Sequence, residues 1–370
     1  MEKKNIKVMV GLSGGVDSAI AAYLLLKEGY DVSAGFMRNW DAIANGDFLE
    51  NPTLNNDCCP QEADYYDAVK VAEKLGIKLY RIDFVKEYWD DVFSYFLDEY
   101  KKGRTPNPDI FCNKYIKFDK FLKFAKDNGF DYIATGHYAK LIDGKLYKAL
   151  DLNKDQSYFL SMVKKEQFDN VLFPLGNINK ETVRKIASEY GLVTADKKDS
   201  TGICFIGERN FTNFLKNYLP NKEGDIVNID NNEVLGKHIG LMYYTIGQRR
   251  GLNIGGNSDK LYVVGKDLNK NILYVAYGDR KYLYSNKAIL EDVNLLSDSK
   301  VKDGNCKFRY RQKDINCHIE YLDDKTVEIS YDLTKAVTPG QICVVYNNDE
   351  CILGGIIKTV FKDDKKLWYL

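Results

Sequence analysis

Along the first two hundred residues, hydrophobic and polar positions switch repeatedly between two periods. Ile6 to Leu12 is a short, nearly continuous apolar run, the pattern of a parallel strand buried on both faces. A glycine-rich turn follows, then an apolar helix predicted from about Asp17 to Glu28 and stopped by Gly29. Asp31 to Met37 reads as a strand, Gln61 to Leu75 as a helix closed by Gly76, and Lys78 to Asp83 as the next strand. Lys86 to Lys102 is an aromatic-rich helix, and Thr105-Pro106-Asn107-Pro108 is a rigid break whose two prolines fix an extended approach to the next helix. From about Asn113 a helix should bury Phe118, Phe121, Leu122 and Ala125 while Lys117, Lys120 and Lys123 point away. Phe130 to Thr135 is a further strand. Segment 38–60 has no period and is longer than an idle connection, so a lid or substrate loop is expected there.

Strand–helix alternation of this kind predicts a doubly wound parallel α/β domain over residues 1–205, with its ligand site at the C-terminal ends of the strands. Beyond it the texture changes. Phe211, Phe214, Leu215, Tyr218 and Leu219 mark one amphipathic helix ended by Pro220, and short strand-like pieces continue to about 280. Residues 206–280 are therefore expected to form a small central domain. Residues 281–370 carry short alternating runs, Cys306 to Tyr310, Ile315 to Leu322, Thr326 to Tyr331, Gln341 to Tyr346 and Cys351 to Val360, as a C-terminal β-barrel would.

Composition narrows the class. Of 370 residues, 45% are hydrophobic, which excludes a chain disordered throughout. No apolar run approaches the roughly 18 residues of a membrane span, and Gly14, Gly15 and Asp17 interrupt the N-terminal apolar stretch too early for a signal peptide. A cytoplasmic, soluble protein with no membrane partner is expected. The 53 basic and 53 acidic residues cancel, but they are segregated. Residues 101–126 hold eight Lys and Arg against two acids, and residues 41–67 hold seven acids and no Lys or Arg. The acidic stretch should face away from any nucleic acid or be covered by a basic partner. The eight cysteines include no Cys-x-x-Cys, and the three histidines lie far apart, so neither a disulfide scaffold nor a bound metal is expected.

The strongest chemical signal is the loop Gly11-Leu12-Ser13-Gly14-Gly15-Val16-Asp17-Ser18 between strand and helix. Glycines let backbone N–H groups crowd a phosphate, the helix N-terminus adds partial positive charge, and Ser13 and Ser18 add hydroxyl donors. No Gly-Lys-Ser/Thr follows, so it is not a Walker A loop; it suits a pyrophosphate that leaves as a unit. A second constellation, Asn107-Pro108-Asp109-Ile110-Phe111-Cys112, puts a thiol at or near a helix start inside the basic segment, where both features favour thiolate, with Asp109 as a proton-transfer candidate. A third, Asp199-Ser200-Thr201-Gly202-Ile203-Cys204, sets another cysteine after small polar residues, as in an accessible loop. Two such thiols can pass sulfur by persulfide and disulfide exchange. The remaining cysteines read as core or, for Cys58 and Cys59, as structural.

Ser13-Gly14-Gly15-Val16-Asp17-Ser18 resembles the signature of the PP-loop ATP pyrophosphatases, and hence an adenine nucleotide alpha hydrolase-like domain. Together with the Cys112 and Cys204 motifs, Thr135-Gly136-His137-Tyr138-Ala139, Lys154-Asp155-Gln156-Ser157-Tyr158-Phe159-Leu160, the run Tyr244 to Leu252, Phe308-Arg309-Tyr310-Arg311 and Pro339-Gly340-Gln341, the whole chain resembles the bacterial tRNA 2-thiouridylases. The resemblance implies ATP, with Mg2+, bound by residues 11–18, Met37 and Gly136, and catalysis by Cys112, Cys204 and Asp109. It implies contact with the target base by Asn107, Pro108 and Asp109, and with tRNA by His137, Lys154, Asp155, Gln156, Arg309, Tyr310 and Gln341. An upstream sulfur-relay protein or cysteine desulfurase would charge Cys204. The residues alone leave two alternatives open: a PP-loop enzyme that uses an amine instead of sulfur, and a tRNA-binding or sulfur-carrier protein without adenylation.

Overall fold

The computed structural model describes residues 3–49, 51, 60–199, 206, 210–254, 260–278 and 281–370. Strands β1 (Lys7–Gly11), β2 (Asp31–Arg38), β3 (Leu79–Asp83), β4 (Tyr132–Ala134) and, after the short strands β5 (Ala139–Ile142) and β6 (Lys145–Lys148), β7 (Val171–Leu172) define the first body. Its sheet runs β3-β2-β1-β4-β7, with every neighbouring pair parallel. The strands after β1 step to one side and β4 returns on the other, so a crevice opens beyond the C-terminal ends of β1 and β4, the topological switch point. Val8, Met9 and Val10 are fully buried, as a strand covered on both faces requires. Helix α1 (Val16–Lys27) buries Ala19, Ile20, Ala21, Ala22 and Leu25 against this sheet, and α2 (Pro60–Leu75) packs beside it.

One departure from the sequence reading matters for the site. Pro108 is not part of an extended approach; it is the first residue of the helix. Asn107 caps that helix, its side chain accepting from Asp109 N and Ile110 N, and proline's missing N–H costs nothing there. The helix then continues through a π-helical stretch, Cys112–Lys120, into Phe121–Asp127, burying Phe118, Phe121, Leu122 and Ala125 as expected. Segment 38–49, where a lid or substrate loop is expected, is anchored at Trp40 and by Asn217 while Ile43, Phe48 and Leu49 stay exposed. Trp40 is buried among Tyr88, Phe93, Phe214 and Tyr218, and Asn217 accepts hydrogen bonds from Phe48 N and Leu49 N.

The central body contains β8 (Gly224–Asn228), β9 (Val234–His238), β10 (Leu261–Asp267) and β11 (Ile272–Tyr277), in the order β10-β11-β8-β9. The C-terminal body contains β12 (Tyr284–Leu295), β13 (Asp303–Lys307), β14 (Ile315–Tyr321), β15 (Val327–Lys335), β16 (Ile342–Asn347) and β17 (Glu350–Lys362), with β18 (Lys365–Lys366) folding back on β17. Pairing of β12 with both β15 and β17 closes six strands into a barrel. No local pattern announces that the hairpin β5–β6 of the first body adds to the barrel's sheet, Tyr147 opposite Glu350. Tyr158 reinforces this seam, its hydroxyl donating to Ile342 O at 2.9 Å.

Candidate active site

The loop 11–18 leaves β1 at the switch point. Gly14 sits at φ +73°, where a side chain would be strained, and a Cβ there would fall 2.3 Å from Asp64 O of α2. Ser18 Oγ accepts from Ser13 N at 3.1 Å and lies 3.2 Å from Ser13 Oγ, which curls the loop back over the start of α1. Gly15 at the N-cap provides no side-chain cap, so the first amides of α1 remain available to an anion, the arrangement a phosphate needs. Met37 and Gly136 flank the loop. Met37 Cε lies 3.3 Å from where a Gly11 Cβ would be, and Gly136, just past β4, is pressed against Asp17 and Ser18.

Cys112 is fully buried in the same core cluster as Met37. Its helix reaches the glycine loop through Phe121, nine residues further on, whose ring lies 3.5 Å from where a Gly11 Cβ would be and 2.6 Å from where a Gly35 Cβ would be. Upstream, Thr105 is held to the barrel: Gln341 Nε2 donates to Thr105 O at 2.6 Å and Thr105 N donates to Pro339 O. The segment 107–112 is thus fixed from both ends. Cys204, with Cys58 and Cys59, lies outside the described residues, but Asp199 before it and Ile206 after it are placed. Ile206 is buried in the cluster that contains Cys112.

Several residues expected to meet tRNA are engaged within the chain. His137 is buried between Phe118 and Phe173, with Nδ1 2.7 Å from Thr135 Oγ1. Burial, then the nearby Lys117 charge, hold its pKa well below the ordinary imidazole value. Asp155 is buried and accepts from Ala149 N, Ser157 N and Ser157 Oγ, so it shapes the turn that presents its neighbours. Gln156 accepts from Tyr138 N, and Lys154 pairs with Asp199 at 2.6 Å. Arg309 donates to Lys335 O and Ala336 O while remaining exposed, and Tyr310 packs on Phe159.

An ion-pair network centred on Lys180, which the sequence reading missed, joins these parts. Asp17 of the loop accepts from Tyr138 Oη at 2.8 Å and from Lys180 Nζ at 2.7 and 2.8 Å, and Lys180 also pairs with Asp199 at 2.8 Å. Burial alone would raise the Asp199 pKa, but its bonds to Lys154 and Lys180 outweigh that and hold it at about 2. Asp17 and Lys180 are 163 residues apart, and no local pattern announces the pair.

The charge windows also change meaning. Arg38, Arg81 and Lys197 neutralise Asp41, Glu62, Asp64 and Asp67 from outside the acidic stretch, so for these four neither a basic partner nor avoidance of nucleic acid is required. In the basic stretch, Lys101, Lys102, Arg104, Lys120 and Lys123 pair with Asp98, Glu99, Asp91 and Asp127. Among the described residues no cluster of three or more His, Cys, Asp or Glu could hold a metal ion, and no helix is long and apolar enough to cross a membrane.

Three family models cover the chain: a tRNA methyl transferase HUP domain over residues 6–208, a tRNA methyl transferase PRC-barrel domain over 212–277 and an aminomethyltransferase beta-barrel domain over 285–357. The tRNA-specific 2-thiouridylase MnmA of Mycoplasmopsis synoviae is 55% identical over 373 residues, spanning 100% of both chains. The protein of the same name from Mesoplasma florum is 58% identical over 96% of this chain and 99% of its own, and that from Acholeplasma laidlawii 54% over 98% and 99%. The domain models carry a methyl-transfer label and the relatives a thiolation label; identity above one half across whole chains decides between them. The chain belongs to the tRNA-specific 2-thiouridylase family.

Proposed function

We propose that the protein performs ATP-dependent 2-thiolation of the wobble uridine, position 34, of tRNA. The observation that carries this reading is the joining of a phosphate-ready loop without a Walker lysine to the buried Cys112 helix through Phe121. An amine-using PP-loop enzyme has no need for a thiol built into that framework. The uracil 2-carbonyl is amide-like and oxide is a poor leaving group, so the base must first be activated. With ATP on the loop, the uridine O2 attacks the α-phosphorus and pyrophosphate departs, its charge met by the free amides of α1 and the hydroxyls of Ser13 and Ser18. The target base leaves its stack to reach the pocket, a smaller cost in an anticodon loop than in a duplex.

A persulfide on Cys204, charged by an upstream sulfur donor, then attacks C2 through its terminal sulfur and AMP leaves. Cys112 thiolate attacks the Cys204 sulfur, forming a Cys112–Cys204 disulfide and leaving the new sulfur on the base; a reductant returns both thiols. Asp109, one turn before Cys112, is the proposed proton-transfer group. Asn107, Pro108 and Asp109 hold the base, and Lys154, Gln156, Arg309 and Tyr310 present donors and a ring to tRNA. Mg2+ would enter with the nucleotide, held chiefly by the phosphates, because the loop's carboxylate, Asp17, is already bound to Lys180 and Tyr138. A cytoplasmic location follows from the substrate. The test is to incubate protein, ATP, persulfide donor and unmodified tRNA and to look by mass spectrometry for a gain of about 16 Da, sulfur replacing oxygen, on the wobble base. No gain on any tRNA would refute the assignment.

A further inference from the structure

We propose that Asp199 and Lys197 are positioning residues for sulfur transfer, tethering the chain that leads to Cys204 to the walls of the nucleotide loop. The inference rests on the reading above that Cys204 delivers the sulfur. Three cations converge on the Asp199 carboxylate: Lys154 at 2.6 Å, Lys180 at 2.8 Å and Arg184 at 3.0 Å. Lys180, its side chain nine-tenths buried, also holds Asp17 of the loop, so one ammonium joins the nucleotide site to residue 199. Two residues earlier a second clamp closes on another wall. Lys197 pairs with Asp64 at 2.8 Å and Asp67 at 2.6 Å on α2, and Asp64 is the residue whose carbonyl crowds Gly14. Arg184 completes the grip by donating to Ala195 O and Lys197 O.

Cys204 is the fifth residue after Asp199, a covalent reach of at most about 18 Å, and Ile206, which is buried with Cys112, is the second after Cys204. The clamps therefore fix the starting point of a short chain that has to deliver sulfur to a base held at the loop. Stability is a poor explanation for them, since exposed ion pairs contribute little and a largely buried Lys between two carboxylates gives back in desolvation much of what it gains. Position is a better one: a misplacement of about 1 Å in a reacting group can lower a rate about 100-fold.

Asp199→Asn keeps the size of the side chain and removes the charge that gathers the three cations; Lys197→Met releases the other clamp independently. Two steps are read for each variant: pyrophosphate released in a single turnover with unmodified tRNA, and 2-thiouridine formed when a persulfide donor is added. We expect pyrophosphate release within threefold of wild type, thiouridine formation at least tenfold slower, and recovery of most of that loss in Asp199→Glu. Thiouridine formation at the wild-type rate in both Asp199→Asn and Lys197→Met would overturn the positioning role while leaving the proposed function intact. Equal loss of both steps in a variant with an unchanged melting temperature would overturn it too, by making these residues part of adenylation. A wild-type protein that forms no thiouridine would instead defeat the underlying functional reading.

Discussion

Gly136→Ala is the sharpest test of how β4 and the glycine loop are fitted together. A Cβ at residue 136 would lie 2.6 Å from Ser18 N, 2.7 Å from Asp17 C and 3.0 Å from Ser18 Cα. All three are backbone atoms at the start of α1, so no side-chain rotation can relieve the overlap. Reaching an ordinary contact requires β4 and the loop to separate by about 0.8 Å. Overpacking of this kind typically costs about 1–3 kcal/mol of stability. The functional loss should be larger than that suggests, because the shift falls on the amides that would face the phosphates. We expect single-turnover pyrophosphate release to drop by about tenfold to a hundredfold. Gly29→Ala is the control. Gly29 follows α1 at its far end with φ +90° and has no atom within 4 Å of its would-be Cβ, so alanine there brings backbone strain of about 1–2 kcal/mol without touching the loop. The two variants should show comparable falls in melting temperature, while only Gly136→Ala loses pyrophosphate release. If Gly136→Ala retained release within twofold of wild type, the fit between β4 and the loop would not control nucleotide geometry.

Two further outcomes follow from burial. Burial lowers the pKa of Lys266, which donates to Gly103 O, to about 7. Between that value and the unfolded lysine pKa near 10.4, the unfolded chain binds a proton that the folded chain does not, so stability falls as pH is lowered through this window. Lys266→Met should therefore raise the melting temperature more at pH 7 than at pH 10, and an equal or reversed difference in thermal melts would refute the assignment. Burial also pushes the Cys343 and Cys351 thiols up, so iodoacetamide at pH 8 should leave both unmodified in the native protein and label both in urea, as read by peptide mass spectrometry. Comparable labelling under the two conditions would show that the barrel core opens.

The elements legible in the sequence are those whose signals are local. The apolar run before Gly11, the glycine turn and the apolar helix stopped by Gly29 each carry their instruction within a dozen residues, and all three fold as read. Alternation in the last ninety residues marks strands, and the barrel they form follows from their number and spacing. The missed features are relationships between distant segments. Nothing in Lys145 to Lys148 says that β6 will pair with β17 and not with its own domain's sheet. Nothing near Lys180 points to Asp17, because an ion pair has no periodicity and its partner can come from any segment the fold brings close. Pro108 is ambiguous for a different reason. Proline is compatible both with an extended stretch and with the first position of a helix, and only the cap geometry of Asn107 decides between them.

That last distinction bears on how Cys112 can react. A thiolate-promoting helix start needs unsatisfied amides, yet Asn107 takes the amides of Asp109 and Ile110, and Cys112 N donates to Pro108 O and Asp109 O. The basic stretch around it is largely paired with Asp98, Glu99, Asp91 and Asp127. The helix-start amides and five of the eight basic residues of the stretch are therefore committed elsewhere, and the cysteine is buried. In thiol–disulfide exchange the rate depends on the attacked sulfur and its leaving group as well as on the attacking thiolate. A cysteine in this setting is suited to the second attack, on a sulfur already carried by a persulfide and beside a base already adenylated. It is less suited to initiating chemistry on its own. On this argument Cys112→Ser should spare pyrophosphate release and stop thiouridine formation after adenylation, whereas loss of both steps together would place Cys112 at the first step and reverse the order proposed here.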